Sequence, residues 1–72
     1  MDLELIIFDV EKQITDYKCL YRDELITIGE LIDLINNIMY DNKDVKNLDE
    51  KYKKKIDKLI HKTIVSIIKK SQ

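Results

Sequence analysis

Apolar residues recur along this chain at spacings of three and four, broken by two polar stretches, and that rhythm predicts three helices. The clearest covers residues 27–41. Ile28, Leu31, Ile32, Ile35, Ile38 and Met39 fall on one side of it, with Glu30, Asp33, Asn36 and Asn37 on the other. Thr27 followed by Glu30 forms a capping box, in which hydroxyl and carboxylate satisfy exposed backbone N–H groups. Ile26 and Leu31 bracket it as a hydrophobic staple.

The last predicted helix covers residues 48–70, after a polar connector from Asp41 to Asn47. Asn47 with Glu50 repeats the capping signature, and Asp49 and Glu50 suit the positive end of the helix dipole. Lys69 and Lys70 suit its negative end. Tyr52, Ile56, Leu59, Ile60, Thr63 and Ile67 supply the apolar face.

Residues 3–22 admit two readings. Leu3, Ile7, Val10, Ile14, Tyr17 and Tyr21 alternate in steps of four and three, like the seam of three heptads, and Ile6 and Leu20 widen the stripe. The same segment is rich in Ile, Val, Thr, Phe and Tyr, which suits strands. A hairpin turning near Lys12 and Gln13 is the alternative, but that turn lacks Asn-Gly or Asp-Gly and residues 3–10 do not alternate cleanly. The expectation is therefore an all-α, three-helix bundle forming one domain over residues 1–72. The alternative is an α+β fold, an N-terminal β-hairpin followed by two helices.

Composition sharpens this picture. The chain has 72 residues, one Gly and no Pro, so tight-turn signals are scarce and helices with polar connectors are favoured. A domain of this size buries only about 60–65% of the surface its unfolded chain exposes. Small scaffolds compensate with disulfides, a metal or self-association. The single Cys19 and single His61 exclude an intrachain disulfide and a Cys/His zinc site, so no metal or cofactor is expected and oligomerisation, most simply a homodimer, is. No run of about 18 apolar residues occurs, so no membrane span is expected. The start, Met-Asp-Leu-Glu, lacks the basic region of a secretory signal, and a cytoplasmic location is expected. Absence of Ala and Pro, with one Arg against twelve Lys, suggests an AT-rich genome and, as a guess, a phage or mobile element.

Charge is polarised. Residues 1–42 carry ten acids and three bases, and residues 43–72 carry ten bases and four acids. Lys51, Lys54, Lys55, Lys58, Lys62 and Lys69 lie within about 60° of one line on the last helix. That stripe is a candidate surface for a partner or for a polyanion such as nucleic acid. One Arg and no interleaved Phe or Trp argue against sequence-specific DNA reading or base stacking. Asp2, Asp9, Asp16 and Asp23 repeat every seven residues and would complement the stripe, within the chain or between subunits.

Tyr17, Tyr21, Tyr40 and Tyr52 suit a core border or an interface, since each pairs a large apolar body with a polar tip. His61 has Asp57 one turn earlier, but no nucleophile is identifiable beside it, so it reads as a surface residue. Cys19 falls off the apolar seam and reads as a semi-exposed structural thiol. Asp41, Asp44, Asp49 and Glu50 do not match a calcium loop, because Lys43, Val45 and Lys46 occupy positions where the pattern needs oxygen ligands or Gly. The expected function is non-enzymatic protein–protein association, as an accessory, regulatory or inhibitor protein. Polyanion binding through the lysine stripe is the alternative.

Overall fold

The computed structural model describes residues 2–71. It contains α1 (Leu3–Arg22), α2 (Ile28–Asn36), α3 (Ile38–Asp41), α4 (Lys43–Lys46) and α5 (Glu50–Lys70), and no strand among the described residues. The all-α reading holds. The hairpin alternative does not, because residues 3–22 form one unbroken helix.

Local chemistry explains why α1 overrides its strand-like composition. The Asp2 carboxylate accepts from the Glu4 N–H at 3.0 Å and starts the helix. Ile6, Val10 and Ile14 then recur at helical spacing and are buried. The deepest line therefore runs through Ile6, to one side of the predicted seam. Ile7 and Tyr17 pack against the core half-buried, whereas Tyr21, in the last turn, is exposed.

The end of α1 is a Schellman closure. Leu25 N–H bonds back to the Leu20 carbonyl at 2.9 Å, and Glu24 N–H to the Tyr21 carbonyl at 3.0 Å. This geometry puts Glu24 at φ 62°, a left-handed conformation usually given to glycine.

The capping box at Thr27 is formed in both directions, Glu30 N–H to the Thr27 hydroxyl at 3.2 Å and Thr27 N–H to the Glu30 carboxylate at 3.1 Å. The predicted helix 27–41 is interrupted at Asn37, which caps α2 while its carbonyl accepts from Tyr40 and Asp41 to begin α3. Asn36 and Asn37 are weak helix formers, and the break leaves Ile38 buried alongside Leu31 and Ile35.

The connector 41–47 is not merely polar. Asn42 caps a short helical turn, α4, and Val45 on that turn is fully buried. The next helix starts later than predicted, at Glu50, with Asp49 rather than Asn47 as its N-cap and no side-chain cap bond. Asn47 instead ends α4.

Helix α2 packs against both long helices, and α3 and α4 pack on each other and on α5. The core is one cluster of Ile6, Val10, Ile14, Leu31, Ile35, Ile38, Val45, Ile56, Ile60 and Ile67. All ten members are aliphatic, and among the described residues no polar side chain is buried and no buried side-chain polar atom lacks a partner. The molecule measures 35 × 19 × 18 Å, so its length is close to that of its longest helices, about 30 Å at 1.5 Å per residue.

Candidate interaction surfaces

The lysine stripe lies on α5 opposite the buried line of Ile56, Ile60 and Ile67. Lys51, Lys54, Lys55, Lys58, Lys62 and Lys69 are all exposed. Among the described residues the ion pairs are Arg22 with Asp23 and Lys53 with Glu50, so no stripe lysine is neutralised within the chain. The aspartate heptad consequently forms no intrachain ion pair with the stripe. Lys51 does sit 4.9 Å from the centroid of the Tyr52 ring, with Lys55 at 6.0 Å. Tyr52 therefore serves as a partly buried platform for cations of its own helix.

Of the aspartates, Asp2 caps α1, and Asp23 ends it and faces Arg22. Asp9 accepts from the Asn42 side-chain amide at 3.1 Å, which ties α1 to the start of α4. Asp16 is exposed without a hydrogen bond from another side chain among the described residues. These four share a flank but do four different things.

The tyrosines divide by depth. Tyr17 is half-buried, and its hydroxyl accepts from the Gln13 amide at 3.3 Å. Tyr52 is half-buried on α5, Tyr21 is 39% exposed and Tyr40 is 74% exposed. Core border suits the first two, and a free surface the last.

Two features went unnoticed in the sequence. On α1, Leu5 and Phe8 are 66% and 69% exposed, one turn apart on the side opposite the core. Acidic residues flank them, Glu4 and Glu11 on one side and Asp2 and Asp9 on the other. The sequence carries a signal for them, because both residues fall off the predicted seam.

The second is a groove of about 560 Å³ where the C-terminal ends of α1 and α5 meet the start of α2. Ile28, Leu31 and Ile67 contribute apolar lining and Lys18, Arg22 and Lys70 contribute cations; among the described residues no Asp or Glu lines it, though Arg22 pairs with Asp23 at 3.5 Å beside it. Cys19 is half-buried in its wall. No pattern local in sequence reports this juxtaposition, since its walls come from residues about 50 positions apart.

His61 is exposed on α5 and makes no hydrogen bond with Asp57. Among the described residues, no group of three or more His, Cys, Asp or Glu side chains is placed to hold a metal ion. None of the described helices is long and apolar enough to cross a membrane. Compared with family models, curated proteins and solved structures, the chain matches none of them.

Proposed function

We propose that this protein is a non-enzymatic association module, an accessory or regulatory protein that works by occupying a surface and that self-associates. The observation that carries this reading is the exposed pair Leu5 and Phe8. Both are large apolar residues on a rigid helix, and the core is filled without them. Two solvent-facing side chains of that size on adjacent turns are anchors of the kind that protein interfaces bury. Tyr40, more exposed still, belongs to the same class of residue.

The supporting observations are electrostatic. The chain carries an unneutralised basic face on α5 and an acid-flanked apolar face on α1, and such surfaces steer partners and fix their orientation. The test is to replace Leu5 and Phe8 by Ser and measure mass by light scattering after size exclusion. The reading expects the wild type to elute above monomer mass and L5S/F8S to shift towards monomer with unchanged helicity. An unchanged elution and mass in L5S/F8S would remove the observation from the reading.

A second reading has its own observation, the six exposed stripe lysines with no carboxylate partner among the described residues. On α5 they span about 27 Å, enough to follow a phosphate backbone. Lys51, Lys54, Lys58 and Lys62 replaced by Glu should then abolish a steeply salt-dependent binding to duplex DNA or heparin. If the wild type shows no such binding at low salt, this second reading fails.

A further inference from the structure

The groove and the exposed face of α1 are complementary in two properties at once. The groove offers half-buried Ile28, with the core residues Leu31 and Ile67 also in its lining, together with the cations Lys18, Lys70 and Arg22, the last shared with Asp23. The α1 face offers Leu5 and Phe8 with Glu4 and Glu11 on one flank and, on the other, Asp2 and Asp9, which also accept from Glu4 N–H and Asn42. Apolar meets apolar, and positive meets negative. Lys12, one turn beyond Phe8, confines the acidic apolar face to the first three turns of α1.

One molecule cannot satisfy itself in this way. Leu5 and Phe8 precede Lys18 and Arg22 on the same straight helix, about 15–25 Å away at 1.5 Å per residue. The face and the groove therefore sit towards opposite ends of a molecule 35 Å long.

We infer that the groove receives the acidic, apolar N-terminal half of α1 from a second copy of this chain, so that copies join head to tail. This inference rests on the self-association proposed above and names its two surfaces. Such a contact is heterologous, because each copy gives one surface and receives with the other. Successive copies then form a ring or an open chain rather than a two-fold dimer closed on itself. Two apolar anchors with a few charge pairs are fewer than the roughly 20–30 residues a side of a stable interface. The association is accordingly reversible and concentration-dependent.

Complementation by sedimentation velocity tests this on the full chain. One variant, L5E/F8E, loses the face and keeps the groove. The other, K18E/R22E/K70E, loses the groove cations and keeps the face. All five positions are exposed, so both variants should retain the wild-type helical signal and cooperative melting. Each alone should sediment as a monomer of about 8.6 kDa at concentrations where the wild type associates. Their equimolar mixture should form a one-to-one dimer and stop there, because the second face and the second groove are both disabled.

The possible failures are distinct. If K18E/R22E/K70E associates like the wild type, the groove is not the receptor, and the inference falls while the association reading stands. If both variants are monomeric and the mixture stays monomeric, the head-to-tail pairing falls in the same way. If the wild type itself is monomeric throughout, both fall together.

Discussion

Asn42 shows how much one side chain can organise in a small domain. Its carbonyl oxygen accepts from Asp44 N–H at 3.0 Å and Val45 N–H at 3.2 Å, starting the turn that buries Val45. Its amide nitrogen donates to Asp9 at 3.1 Å and to Gln13 at 3.0 Å, fixing that turn to α1. Asn42→Asp keeps the capping oxygen but loses both donated bonds and faces the Asp9 carboxylate with a like charge. Its expected cost is about 1–2 kcal/mol, given roughly 0.5–1.5 per net hydrogen bond, read by urea denaturation. Adding Asp9→Asn should recover part of that loss, because an amide again faces a carboxylate; a purely additive double variant would show that the contact contributes nothing. Glu24 makes the opposite case. Held at φ 62°, it bears a left-handed strain of about 1–2 kcal/mol that glycine would relieve, against about 0.5–1 for glycine's extra unfolded-state freedom. Glu24→Gly should therefore raise the melting temperature slightly, and a lower one would contradict the strain.

At the scale of elements, long periodic segments were legible and short irregular ones were not. Helix α1 keeps its predicted bounds because helical spacing sustained over its 20 residues outweighs the strand preference of individual Ile, Val and Thr side chains. The capping box at Thr27 was legible for a different reason: it is local chemistry, needing only residues three apart. Thr27→Ala should cost about 0.5–2 kcal/mol, and a smaller loss in Glu30→Ala would fit the reciprocal bond being the weaker half. The break at Asn37, the turn α4 and the start of α5 at Glu50 were misread. Each is decided by which side chain reaches the core from a distance, as when Val45 and Leu48 pack inward from a stretch that is polar in composition. The groove is not legible for the same reason, since Lys18 and Lys70 line one cavity only once α2 has packed against both α1 and α5.

Across the whole molecule, the ten-residue aliphatic core closes without Leu5, Phe8 or Tyr40, and among the described residues the two ion pairs involve none of the six stripe lysines. What remains on the surface is an acid-flanked apolar patch near the start of α1, a groove with three cations at its far end, and a row of lysines along α5. The self-association proposed above would join the α1 face of one copy to the groove of another. Screening over a Debye length of about 10 Å at 0.1 M salt weakens the charged part of that contact, while the apolar anchors persist. Sedimentation equilibrium of the wild type over a wide concentration range, at low and at high salt, is the most direct test. A weight-average mass that rises with concentration above 8.6 kDa, and rises less steeply in high salt, is the expected result. A constant 8.6 kDa at every concentration and both salts would contradict self-association through these surfaces.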